Sequence, residues 1–133
     1  MDSSAPLPRQ YLVQRLKHSL QALALTAHVQ IELFPDFVGK AAELALDYSH
    51  WHLCVLGNFA DEVTYQQAFV LQVLDSRLEE MSGQANSALW TDAALRNRSE
   101  WASVRDLAAQ ALTAFGWEVE VPPSHEHEYV GPL

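Results

Sequence analysis

The residues best equipped for chemistry lie in one stretch, Asp47-Tyr-Ser-His-Trp-His-Leu-Cys54. It holds a carboxylate, two histidines, two aromatics and the only cysteine of the chain. Asp47 and His50 stand three apart, so on a helix both project from one face. Carboxylate-x-x-His is the spacing of metal ligands in helical bundles, where two such motifs and two further glutamates complete a di-metal centre. Here the motif occurs once, and no predicted helix carries Glu-x-x-His. No metal site and no cofactor is therefore expected, and the simpler reading is that Asp47 orients His50 at the surface. His50 and His52 would share a metal ion only on an extended backbone. On a helix they diverge by about 200°. His125-Glu-His-Glu128 is a compact tract suited to adventitious transition-metal binding in a polar tail. Cys54 sits in the apolar run Leu53-Cys-Val-Leu56 and is expected to be a buried, inert thiol.

Other chemistries find less support. Nucleophilic catalysis needs an activated side chain beside an oriented base, and no Gly-x-Ser-x-Gly elbow is present. The five glycines are scattered singly, which disfavours a phosphate-binding loop. A short helix at 91–97 before a helix from Ser99 resembles a helix-turn-helix in outline. Its second helix, however, would open with Ser99, Glu100 and Trp101 rather than with base-reading Arg, Lys, Asn or Gln. The chain is expected to be non-catalytic.

Helices must position these residues. After a lead-in at 1–8, Leu12, Leu16, Leu20, Leu23 and Ala27 recur at helical spacing, with Arg15 and Gln21 on the outer face. His28–Phe34 reads as a helix tail or a short strand, and Pro35 ends it. From Asp36, Leu44, Tyr48, Trp51 and Val55 form one apolar face, closed by Gly57-Asn58. An extended reading of the same stretch is the rival. Asp61 is the expected N-cap of a third helix, with Phe69, Val70, Val73, Leu74, Leu78 and Met81 buried. Gln84 to Ser87 reads as a polar loop. Thr91-Asp92 caps a short helix, and Ser99 caps a longer one through Trp101, Val104, Ala108, Ala111, Leu112 and Phe115 to Gly116. Trp117–Val121 alternates like a short strand or extended arm. The expected fold is mainly α, a compact antiparallel four-helix bundle-like domain over 9–121, with room for a short two-stranded addition and a polar mobile tail at 122–133.

Charge narrows the choice of partners. The 133 residues carry a formal charge of −9, from 17 acidic and 8 basic side chains. Nucleic-acid binding is driven mainly by Lys and Arg neutralising phosphates, so it is disfavoured, as is an anionic membrane surface. The acidity is uneven. Glu32, Asp36, Glu43, Asp47, Asp61, Glu62, Asp75, Glu79 and Glu80 are opposed between them only by Lys40 and Arg77. Such a field suits a cationic protein partner, although acidity also serves solubility alone. Trp51, Trp90, Trp101 and Trp117 each need a core position or a contact, and Trp90 and Trp117 flank helices, where aromatics plug a bundle end or anchor a partner.

The start Met-Asp-Ser-Ser-Ala-Pro has no secretion pattern, and no apolar run approaches the ~20 residues that span a bilayer, so a cytoplasmic location is expected. The best-supported expectation is an acidic binding protein of the immunity or antitoxin type. It would inhibit a basic partner, such as a toxin from an adjacent gene, through Asp47, His50, Glu79, Glu80, Trp90 and Trp117. The alternatives are a metal-binding bundle enzyme or carrier, and an oligomeric adaptor subunit.

Overall fold

A computed structural model describes residues 9–123 of the chain. Among these residues the fold is mainly helical and contains no strand. The lead-in at 1–8 and the histidine tract at 125–128 lie outside the described residues.

Helix α1 spans Arg9–Ala24 and buries Leu12, Leu16, Leu20 and Leu23, the stripe that the spacing implies. Arg15 and Gln21, expected on the outer face, are buried as well. Each has a reason. The Arg15 guanidinium lies over the Trp51 ring, 5.0 Å from its centroid. Gln21 Nε2 donates to the Glu118 carbonyl at 3.1 Å and to Glu120 Oε1 at 3.4 Å. Those bonds hold the arm after Gly116 along α1, and the arm is not a strand.

Helix α2, Ala27–Glu32, resolves the ambiguous segment as helical, so the expected two-stranded addition is not found among the described residues. Gln30 accounts for the choice. Its side chain is fully buried, and Nε2 donates to the carbonyls of Ala22 and Leu23. Carbonyls at a helix C-terminus lack partners within the helix, so a buried amide satisfies them. Gln30 Oε1 in turn accepts from Arg105 Nη1 at 3.1 Å, and the same nitrogen donates to the Leu95 carbonyl.

Helix α3, Lys40–Phe59, buries Leu44, Tyr48, Trp51 and Val55 as expected and runs straight through Gly57 and Asn58, which do not close it. Lys40 is buried at its start, with Nζ 3.6 Å from Asp92 Oδ2. A 3-10 turn, Ala60–Glu62, follows and contains Asp61. The cap of α4, Tyr65–Glu80, is Thr64 instead, whose hydroxyl accepts from Gln67 N while the Gln67 side chain accepts from Thr64 N. That reciprocal pair satisfies two otherwise orphaned donors, which Asp61 stands too early to do. The buried face of α4 is Leu71, Leu74 and Leu78, followed by Met81; Phe69 and Val73, expected inside, are exposed.

A 3-10 segment, Gln84–Trp90, replaces the expected loop. Helix α5, Asp92–Asn97, is capped by Thr91 Oγ1, which accepts from Ala94 N at 3.0 Å. In α6, Ser99–Phe115, Ser99 is the first helical residue and Arg98 holds the cap position. Trp101, Val104, Ala108, Ala111 and Leu112 are buried. Gly116 ends the helix at φ 74, with bonds from Gly116 N to Thr113 O and from Trp117 N to Leu112 O. This paired closure needs a left-handed residue, where glycine carries no Cβ penalty.

Helix α1 packs on both α3 and α6, and α6 also carries α4. Helices α3 and α4, consecutive long helices, make little direct contact. Their separation creates the site described next.

Candidate functional site

The cleft between α3 and α4 has a volume of about 400 Å³. The α3 wall is Ala42, Ala45, Leu46 and Ser49, and the α4 wall is Asp75, Leu78, Glu79 and Ser82, with Trp90 at the side. Small residues recur on the α3 wall at i, i+3 and i+7, which leaves that wall low. The lining is apolar apart from two serines and two carboxylates, and no Lys or Arg belongs to it. Leu46 is 63% exposed, so its side chain remains in water at the cleft mouth.

Trp90 is half-buried and fixed. Its indole Nε1 donates to the Met81 carbonyl at 2.8 Å, and its ring meets Trp101 edge-on at 5.3 Å. Trp101 is fully buried, with Nε1 donating to the Leu89 carbonyl. One ring of the cleft is thereby anchored to the core. Asp75 and Glu79 stand four apart on α4, which places both carboxylates on one side of that helix.

Behind Asp75 lies a buried polar pair. His52 is 3% exposed and stacks on Tyr48 with ring centroids 5.3 Å apart. His52 Nδ1 is 3.7 Å from Asp75 Oδ1, within ion-pair range, and neither ring nitrogen has a hydrogen-bond partner. Burial pushes the His52 pKa below the usual histidine range, against an opposing pull from the Asp75 carboxylate. Burial, reinforced by Asp75, pushes the Tyr48 phenol well above its ordinary range, so it stays neutral and donates to the Leu71 carbonyl at 2.8 Å.

Of the six residues singled out from the sequence, the fold brings Glu79 and Trp90 together in this cleft. Glu80 is turned about 100° around α4 from Glu79, and its carboxylate is 3.8 Å from Arg77 Nε. Asp47 is half-buried on another flank of α3 and accepts from Trp51 Nε1 at 3.0 Å. His50 is exposed, edge-on to Trp51, with Nε2 3.8 Å from Cys54 Sγ. Cys54 is half-buried rather than buried. Trp117 stacks on Phe115 at 4.5 Å and lines a separate pocket of about 170 Å³ with Arg9, Phe59 and Val63. Among the described residues no group of three His, Cys, Asp or Glu side chains could hold a metal ion.

Asp75, Leu46 and Ala45 escaped the sequence reading. Asp75 was visible only as one of nine acids in the segment, and nothing local marks a residue that faces a gap between helices. No family model, curated protein or solved structure matches the chain.

Proposed function

We propose that this chain is an acidic, non-catalytic binding protein whose partner is a cationic protein, and that it acts as an inhibitor of the immunity or antitoxin type. The observation that carries the reading is the convergence of Asp75, Glu79 and Trp90 on one cleft without a lining cation. Aromatic anchors beside charge are the residues on which interface energy concentrates. The net charge of −9 adds long-range attraction for a basic surface. Its location is read as cytoplasmic, and its four long helices as a bundle. No helix among the described residues is long and apolar enough to cross a membrane.

Nucleic acid is the weaker partner. Arg98 is taken up by Glu100 at 3.0 Å, and Arg105 by Gln30 and Leu95, which leaves exposed Arg96 as the cation that α5 and α6 offer to phosphates. The direct test mixes the chain with the product of the adjacent gene and follows complex formation by size-exclusion chromatography at low and high salt. The reading expects a one-to-one complex that weakens with salt. Its absence at low salt contradicts the reading.

A further inference from the structure

The cleft between α3 and α4, about 400 Å³, has the volume and chemistry to receive the apolar side chains of one more helix. Both walls are helical, and a third helix seats by laying its side-chain ridges into the groove between them. The low wall of Ala42, Ala45 and Ser49 allows a close backbone approach. Exposed Leu46 and half-buried Trp90 offer apolar surface beside it, and buried Leu78 lines the cleft. Peptides bound in this way present apolar anchors at i, i+3, i+4 and i+7. The carboxylates of Asp75 and Glu79, four residues apart on one wall, select the charge of the visitor.

We propose that the α3–α4 cleft binds an amphipathic helix of the cationic partner, its apolar face seated between Leu46, Leu78 and Trp90, and Lys or Arg side chains four apart meeting Asp75 and Glu79. This rests on the reading of the chain as an acidic binder and adds which surface docks and what it recognises. Charge complementarity singles out the occupant. A second copy of this chain would bring −9 against −9. A neutral helix would leave the Glu79 carboxylate without a cation, and Asp75 with only His52 Nδ1 at 3.7 Å.

Two fluorescein-labelled 15-residue peptides of identical Leu and Lys composition separate the possibilities. One places Leu on one helical face and Lys four apart on its flank; the other shuffles the same residues so that no face forms. The intact chain is expected to bind the amphipathic peptide about tenfold more tightly by fluorescence anisotropy, as a seated anchor requires. Ala45→Trp, which fills the cleft, is expected to abolish that preference. Leu46→Gln, at a position already exposed, is expected to reduce it several-fold without disturbing the fold. Glu79→Lys weakens the amphipathic peptide more than the shuffled one. Equal binding of both peptides, weakened alike by salt, would overturn the cleft proposal and leave the acidic reading standing. Binding of neither peptide at low salt would overturn both. Preference for the amphipathic peptide that survives both Ala45→Trp and Leu46→Gln would move docking to another face.

Discussion

His52 holds its ring 3.7 Å from the Asp75 carboxylate while stacked on Tyr48, and 3% of its surface reaches solvent. A histidine in that position resists protonation, since charging it would place a cation in the core. Unfolded, it takes up a proton as pH falls through about 6.5; folded, it does so only at lower pH. The unfolded state therefore binds more protons in that interval, and stability falls as pH drops from about 7 toward 5. Thermal unfolding should show Tm declining over that range, and His52→Phe should flatten the decline. An equal pH dependence in the two proteins would mean that His52 is not the group responsible.

Tyr48 supplies the other side of the stack, and its hydroxyl donates to the Leu71 carbonyl across α3 and α4. Tyr48→Phe keeps the ring and removes the bond. It should cost about 1 kcal/mol in urea unfolding, the net worth of such a bond. An unchanged midpoint would mean that water or the helix itself satisfies Leu71 equally well.

Gln30 and Arg105 form a long-range polar staple, 75 residues apart in the chain. Gln30→Leu leaves the Ala22 and Leu23 carbonyls and the Arg105 guanidinium without that partner, and should cost about 2–3 kcal/mol. In an Arg105→Met background the penalty should shrink by about 1 kcal/mol, because contacting residues are not additive. Simple additivity would show that the two side chains do not cooperate.

Gly116 adopts φ 74, and nothing lies within 4 Å of where a Cβ would stand. Gly116→Ala should therefore cost about 1–2 kcal/mol through backbone conformation alone. The loss should appear in denaturant midpoint with m unchanged. A neutral result would mean that α6 closes in another way.

The stripes of α1 and α6 were legible because their largest apolar residues recur on one side. The face of α4 was not. Phe69, Val70, Leu71, Val73 and Leu74 surround much of that helix, so periodicity admits two flanks, and α6 selects the one bearing Leu71. Buried Gln21 and Gln30 look like surface residues in sequence, since their partners lie 97 and 75 positions away. The pairing of Glu79 with Trp90 was named as part of a wider set. Its separation from Asp47, His50 and Trp117 follows from helix rotation and from packing on α1. The cleft itself exists because α1 and α6 hold α3 and α4 apart, a tertiary effect with no local signature.

The central claim is that an acidic surface recognises a basic partner. Stopped-flow association with the product of the adjacent gene, measured across salt concentrations, tests it most directly. The account expects a rate constant that falls steeply with ionic strength, because complementary fields steer encounter. Glu79→Lys together with Asp75→Asn, the two carboxylates of the cleft, should lower the rate at low salt about tenfold, with a smaller change in dissociation. A fast association indifferent to salt and to both substitutions would contradict it.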